Sequence, residues 1–146
     1  MKQVEFHHGM DDKLAYAFRL LRKAYRSGSR VVVTADAATL RQLDKALWVK
    51  DELDFLPHVC QLQGQSVPTR LHPTPLWLTD TPTEVPGRKQ VLINLGATIP
   101  EGIEPYDRFF EVVSTQAEDR QLGRSRWREY EGRGWMVKAH VAQAES

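Results

Sequence analysis

Three arginines near the C-terminal end of the chain recur at a spacing that suits anion binding. Arg120, Arg124 and Arg128 are four residues apart, so on a helix their side chains form one stripe. Trp127 stands beside this stripe, and an arginine fork pairs bidentately with a carboxylate or a phosphate. The pattern predicts a site for an acidic peptide with an aromatic residue or a free carboxylate end, or for single-stranded nucleic acid. The alternative is a solvated basic face with Trp127 and Tyr130 turned to the core.

This basic segment contrasts with the charge of the whole chain. Between Arg120 and Lys138 there are six basic and two acidic residues, whereas the 146-residue chain has a net charge of +1. A basic coat over the whole protein is therefore excluded, but a local basic face is not. With 41% hydrophobic residues and this low net charge, the chain is expected to fold rather than to remain disordered.

A second group of residues has the composition of a protein-binding surface. Trp48 stands at the end of a predicted helix, and its neighbour one turn earlier, Asp44, is a surface-type residue. Phe55, Leu56 and Pro57 follow shortly afterwards. An exposed tryptophan beside phenylalanine and proline is typical of a protein–protein hot spot. The alternative is that Trp48 and Phe55 cap the hydrophobic core.

Residues that could support catalytic or cofactor chemistry are sparse. The turn after the first predicted strand, HHGMDD, has one glycine and two carboxylates, and no phosphate-cradling loop ends in Gly-Lys-Ser/Thr. We therefore expect no nucleotide cofactor. Asp11, Asp12 and His8 keep a small-molecule enzyme open as an alternative, although the aspartates also suit a helix cap. The lone Cys60 excludes a disulfide framework and a cysteine-rich zinc site, and we expect neither a cofactor nor a metal.

The order of predicted elements indicates an α/β domain. A strand over residues 2–6, interrupted at Gly9, precedes a helix with aspartates at its start and Gly28 at its end. The run VVVT predicts a strand buried on both faces, which is typical of a parallel sheet, and Asp36 opens a second helix. Later segments predict strands in LWLTD, QVLINLG and RFFEVVS, a helix over residues 116–131, and a strand or tail in WMVKAHV.

The length and the composition of the chain limit how many domains it can form. A chain of 146 residues buries enough surface for one core, so we expect a single α/β domain over residues 1–146. Five of the eight prolines lie between Pro68 and Pro86, which predicts a loop there. No stretch approaches the ~20 apolar residues of a membrane span, and the N-terminus lacks a signal peptide. We expect a cytoplasmic protein without a membrane partner.

The sequence resembles the chi subunit family of the bacterial DNA polymerase III holoenzyme. The resemblance runs from AYRSGSRVVVTA through LDKALW and FLPH to QVLINL, FFEVVS and RSRWREYEGRGW, which is nearly the whole chain. The LDKALW and FLPH pair and the final arginine–aromatic helix are its specific parts. The resemblance implies a Rossmann-like α/β fold with a mostly parallel central sheet flanked by helices and without a nucleotide-binding loop.

The resemblance also implies partners. It implies a one-to-one complex with the psi subunit, which tethers chi to the clamp-loader complex. It further implies recognition of the acidic C-terminal tail of single-stranded DNA-binding protein, which ends in Asp residues, Ile, Pro and Phe. The psi contact then falls on Trp48, Phe55, Leu56 and Pro57. The tail contact falls on Arg120, Arg124, Trp127, Arg128 and Gly134.

Two residues depart from the family pattern. Trp127 stands where the family has tyrosine, which should preserve an apolar wall, and Glu131 stands where a basic residue is expected, which predicts a weaker tail contact. We interpret the chain as a non-enzymatic adaptor that links the replicase to coated single-stranded DNA during DNA replication. Any polymerase activity would belong to the assembly. The alternative is a direct single-stranded nucleic-acid binding domain that uses Trp127, Trp135 and the arginines.

Overall fold

Strands and helices alternate along the chain, because buried β-branched runs alternate with amphipathic stretches in the sequence. The computed structural model describes residues 2–49 and 55–142. The strands within these ranges are β1 (Gln3–Met10), β2 (Val31–Thr34), β3 (His58–Gln61), β4 (Leu76–Thr79), β5 (Val91–Asn94), β6 (Arg108–Ser114) and β7 (Met136–Val141). The helices are α1 (Lys13–Arg26), α2 (Ala37–Val49) and α3 (Ala117–Gly132), with 3-10 turns at Thr69–Leu71 and Pro82–Glu84.

The seven strands of the described residues form one parallel sheet. Their order across the sheet is β3-β4-β2-β5-β6-β1-β7, and every neighbouring pair is parallel. Each residue of β2, β4 and β5 is buried, as expected for strands covered on both faces. The predicted α/β class with a parallel central sheet and a Rossmann-like architecture is confirmed.

Two hydrophobic clusters cover the two faces of the sheet. On one face, α1 and α2 contribute Leu21, Leu40 and Leu43 to the first cluster. On the other face, α3 contributes Tyr130, and the irregular segments after β4 and β5 contribute Val85 and Ile103. Helix α3 and these irregular segments therefore cover the second face of the sheet together. The exposed side of α3, where the arginine stripe was predicted, lies beyond that second cluster.

The ends of the first two helices follow local signals. The side chain of Asp12 caps α1 by accepting a hydrogen bond from the Ala15 backbone N–H at 3.0 Å. Gly28 ends the turn after α1 with a φ of +81°, a left-handed conformation that glycine adopts without strain. Asp36 accepts a hydrogen bond from the Thr39 N–H at 3.1 Å at the start of α2. These predictions from the sequence are confirmed.

Three elements differ from, or add to, the predicted pattern. The predicted interruption of the first strand at Gly9 is wrong, because β1 continues to Met10 through a register shift between His8 and Met10. Gly9 permits this bulge with a φ of +90°. The half-buried edge strand β3 was not predicted, since it has no continuous apolar run. For WMVKAHV the sequence left a strand or a packed tail open, and the structure has the strand β7, which pairs with β1.

Candidate functional site

The predicted arginine stripe borders a cleft between α3 and the sheet. The cleft has a volume of about 430 Å³. Its lining residues are Phe6, His8, Val113, Arg120, Gly123, Arg124, Trp127 and Arg128. Four of the five residues predicted to bind an acidic tail therefore lie together. The fifth, Gly134, lies beyond the end of α3 with a φ of +81° and does not line the cleft.

Trp127 forms the aromatic part of this cleft. Its side chain is half-buried, and its ring packs on that of Phe6 with the ring centres 5.0 Å apart and the planes tilted by 49°. The tryptophan is thus anchored to β1 on one side and lines the cleft on the other. An aromatic wall held beside three guanidinium groups suits a ligand with an apolar end and a negative charge.

Helix α3 lies very close to β6 beside the cleft. A methyl group on Gly123 would stand 2.8 Å from Cγ2 of Val113, so only glycine allows this approach. By local propensity alone, Gly123 is unfavourable to the helix. In the structure, Gly123 lets the helix carry the arginine stripe close to the sheet. No local sequence pattern indicates this role.

Arg126 and Tyr130 face the core rather than the cleft. Arg126 donates to Glu111 Oε1 at 2.9 Å and to the Ala97 carbonyl at 3.0 Å, and Tyr130 donates to Glu111 Oε2 at 2.8 Å. Burial raises the pKa of Glu111, while the charge of Arg126 and the hydrogen bonds that Glu111 accepts oppose that rise. The cationic face is therefore smaller than the number of basic residues in the sequence suggested.

The aromatic residues predicted to bind a partner protein are exposed. Trp48 is 60% exposed and Phe55 is 45% exposed, and their ring centres are 5.1 Å apart with planes tilted by 37°. Trp48 and Phe55, which we call the aromatic patch, therefore do not cap the core. Residues 50–54, which separate them in sequence, lie outside the described residues.

Leu56 and Pro57 differ from the two rings. Leu56 is 1% exposed and belongs to the cluster under α2, so its side chain anchors the segment instead of meeting solvent. Pro57 is half-buried. Of the four residues predicted to bind psi, the two aromatic ones thus supply the accessible apolar surface.

Two histidines near these surfaces were not predicted as site residues of a binding module. His8 lines the arginine cleft together with Phe6. Side chains two residues apart lie on the same face of a strand, so this spacing could have revealed His8 from the sequence. His58 lies on β3 rather than on a loop, and its ring contacts both Trp48 and Phe55. Nothing local in the sequence indicates that contact.

A second cleft, of about 490 Å³, lies at the carboxyl ends of β1 and β6. Four acidic residues line it, namely Asp11, Asp12, Glu118 and Asp119. Several of these carboxylates already have partners: Asp11 accepts from Thr115 Oγ1 at 2.7 Å, and Asp119 pairs with Lys13 at 3.1 Å. His8 lines the other cleft, so the predicted alternative of a site built from Asp11, Asp12 and His8 is not assembled.

The described residues contain neither a metal-binding cluster nor a membrane-spanning helix. No group of three or more histidine, cysteine, aspartate or glutamate side chains in residues 2–49 and 55–142 is arranged to hold a metal ion. No helix in the same ranges combines the length and the apolar character needed to cross a membrane.

Comparison with known proteins gives one consistent family. The family described as "DNA polymerase III chi subunit, HolC" matches residues 1–138. A DNA polymerase III subunit chi of Pseudomonas aeruginosa is 30% identical over 130 residues, which cover 88% of this chain and 85% of the relative. The DNA polymerase III subunit chi of Haemophilus influenzae is 26% identical over 120 residues, covering 82% and 80%. The chain therefore belongs to the DNA polymerase III chi subunit family, a family of replication accessory subunits.

Proposed function

We propose that this protein is a non-catalytic adaptor that joins the psi subunit of the clamp-loader complex to the acidic C-terminal tail of single-stranded DNA-binding protein. The observation that carries the proposal is the cleft that Arg120, Arg124 and Arg128 line together with Trp127. A peptide that ends in acidic residues, a phenylalanine and a free carboxylate has the charge and the apolar end that this cleft can accept.

The roles of the three arginines follow from their positions in the stripe. Arg124 lies in the middle and pairs bidentately with the terminal carboxylate of the tail. Trp127 forms the wall against which the last phenylalanine packs. Arg120 and Arg128, one turn to either side, meet the aspartates of the tail at the solvated rim, where screening weakens each ion pair.

The psi subunit binds the aromatic patch in this proposal. Trp48 and Phe55 expose adjoining rings, and large aromatic side chains are common anchors of protein interfaces. Leu56, which directly follows Phe55, is buried in the core and anchors this segment. The patch lies beside edge strand β3, whereas the cleft lies beside β1 near the opposite edge of the sheet, so both partners can bind together.

The tail proposal is tested by calorimetry with a peptide that has the tail sequence. Arg124→Ala should cost on the order of 2 kcal/mol of binding free energy or more, because the carboxylate then stays partly buried and unpaired. Arg124→Lys should recover little, since an ammonium group cannot reproduce the fork. Arg120→Ala and Arg128→Ala should cost less binding free energy. Arg88→Ala is the control, because it removes an exposed arginine that does not line the cleft, and it should leave the affinity unchanged.

The same titration separates the proposal from direct nucleic-acid binding. The free-acid peptide should bind better than its C-terminal amide, and a bare single-stranded oligonucleotide should bind poorly. Trp135 does not line the cleft but packs on Phe109 and Tyr130, which leaves no continuous stacking platform with Trp127. Equal affinities for the acid and the amide would reject the tail proposal.

The psi proposal is tested by mutating the aromatic patch. Trp48→Ala should weaken psi binding by about 2 kcal/mol or more and leave the melting temperature nearly unchanged, because the ring is exposed in the free protein. Phe55→Ala should also weaken psi binding. A Trp48→Ala variant that unfolds, or that binds psi like the wild type, would place the interface elsewhere.

A further inference from the structure

A buried histidine lies beneath the aromatic patch and touches both of its rings. The His58 side chain is 1% exposed. Its ring centre lies 5.1 Å from that of Trp48, edge to face, and 5.9 Å from that of Phe55. Trp48 ends α2 and Phe55 precedes β3, so His58 joins two rings that are presented by different parts of the chain.

The same imidazole is held by two polar contacts. Its Nε2 lies 2.9 Å from Oδ1 of Asp44, and its Nδ1 lies 2.7 Å from the carbonyl oxygen of Leu56. Asp44 is one helical turn before Trp48, on the same face of α2. Leu56 directly follows Phe55. Each contact therefore fixes the backbone next to one of the two exposed rings.

The chemistry of the two contacts limits which hydrogen bonds the ring can donate. A carboxylate oxygen and a carbonyl oxygen only accept hydrogen bonds, and a neutral imidazole has a single N–H to donate. A neutral ring would leave a nitrogen lone pair facing an oxygen at 2.7 or 2.9 Å. Only the doubly protonated imidazolium donates to both partners, and Asp44 then neutralises its buried charge.

We propose that His58 is the positioning residue of the aromatic patch and prepares Trp48 and Phe55 for the partner. This inference rests on the proposed role of the patch in psi binding. The physical gain is preorganisation: each side chain that a partner must immobilise lowers the affinity, and two rings already held in place avoid that loss.

The other ionisable groups on the packed elements are few. In addition to Asp44, α2 carries Arg41 in its first half and Lys45 directly after Asp44, and β3 carries Cys60. The neighbouring strand β4 has no ionisable side chain and places Leu76 opposite His58. Asp44 is thus the acidic group in direct contact with the ring.

The first test measures the affinity for psi. His58→Phe keeps an aromatic ring under the patch but removes both polar contacts, and it should weaken psi binding about fivefold to tenfold. The matched control is His72→Phe, because His72 is half-buried, contacts the Val67 carbonyl at 3.1 Å and lies beside a tryptophan, but belongs to another part of the fold. The control should bind psi like the wild type.

A conservative pair of substitutions at Asp44 separates positioning from packing. Asp44→Asn can donate its amide N–H to a neutral Nε2 while Nδ1–H still donates to Leu56, so psi affinity should stay within about twofold of the wild type. Asp44→Leu cannot contact the ring in this way and should weaken psi binding as His58→Phe does. The double variant His58→Phe/Asp44→Leu should bind no worse than either single variant.

The outcomes of these measurements decide between the possibilities. Wild-type psi affinity in Asp44→Leu would overturn the proposal, even if His58→Phe failed to fold. Wild-type psi affinity in His58→Phe, with Trp48→Ala still defective, would overturn it as well. If Trp48→Ala also bound normally, the proposed psi site itself would be wrong.

Discussion

Arg124 and Arg126 are two residues apart on α3 and have opposite environments. A helix turns by about 200° over two residues, so one guanidinium lines the open cleft while the other is 3% exposed against Glu111. The buried pair has further hydrogen bonds from Asn94 and Tyr130 to the carboxylate. The first arginine is therefore placed for binding and the second for stability.

We expect the two alanine variants to differ accordingly in the free energy of unfolding. Arg126→Ala should cost about 3–5 kcal/mol, because it leaves the Glu111 carboxylate buried without its cation. Arg124→Ala should change stability by no more than about 0.5 kcal/mol, as is usual at exposed positions. Urea denaturation of both variants measures the difference, and similar midpoints would contradict the assignment of Arg126 to the core.

His7 lies on the opposite face of β1 from the cleft and is buried among other rings. Its Nδ1 contacts the Tyr16 hydroxyl, and its ring lies 4.7 Å from that of His140 and 5.1 Å from that of Phe110. Burial, with a smaller contribution from the charge of His140, lowers the pKa of His7 from 6.5 to about 4. The folded protein therefore resists protonation of this imidazole.

This shift predicts a loss of stability in mild acid. The unfolded chain takes up the His7 proton as the pH falls through 6.5, and the folded chain does so only near pH 4, so stability present above pH 6.5 is lost between these values. The loss should be about 3 kcal/mol at most. His7→Phe should make the free energy of unfolding less dependent on pH in this range. Equal slopes in wild type and His7→Phe would contradict the prediction.

At the scale of elements, the cleft depends on how closely α3 approaches the sheet. Gly123 brings the helix so near to β6 that an added methyl group would stand 2.8 and 3.0 Å from the two γ carbons of Val113. Val113 belongs to the cluster that also contains Tyr130, so it cannot move freely. The placement of the arginine stripe is thus set by one glycine in the middle of the helix.

Two glycine substitutions in α3 test this dependence. Gly123→Ala should lower the free energy of unfolding by about 1–3 kcal/mol through overpacking and should also weaken tail-peptide binding, since the stripe moves relative to β1. Gly132→Ala is the control, because a methyl group there has no neighbour within 4 Å. It should be neutral or stabilising by up to about 1 kcal/mol, as alanine favours a helix. A Gly123→Ala variant as stable as Gly132→Ala would show that α3 can move away from β6 without cost.

At the scale of the whole molecule, the parallel sheet has the arrangement that often binds nucleotides, but its polar groups do not suit phosphate. Ligands of such sheets usually bind beyond the carboxyl ends of the strands. Here Asp11, Asp12, Glu118 and Asp119 line that region, and the Asn94 side chain at the end of β5 is occupied by Glu111 and the Thr98 carbonyl. Negative charge at this edge repels a phosphate group.

Millimolar ATP or NAD should therefore leave the melting temperature unchanged to within about one degree, because a ligand stabilises a fold only when it binds the native state. The measurement is a thermal shift of the full chain, and the tail peptide at saturating concentration serves as the positive control. A reproducible rise of several degrees with either nucleotide would contradict the adaptor assignment and reopen an enzymatic role.

The sequence by itself determined those features that depend on neighbours within a few residues. The buried runs of β2, β4 and β5, the caps at Asp12 and Gly28 and the four-residue spacing of the arginines are local, because helix and strand periods place such residues on defined faces. For this reason the fold class, the positions of the three helices and the arginine stripe on α3 could all be predicted.

The tertiary structure decided the features that depend on distant partners. The order of the strands, the half-buried edge strand β3 and the bulge in β1 follow from how strands pair across the sheet. The contact of Arg126 with Glu111 and that of His58 with Asp44 each join residues of two different elements. Helical periodicity shows that two side chains face different ways, but not which one meets a buried carboxylate, because that carboxylate is supplied by another strand. The separation of a binding arginine from a structural one, and of a buried histidine from a loop histidine, therefore required the fold.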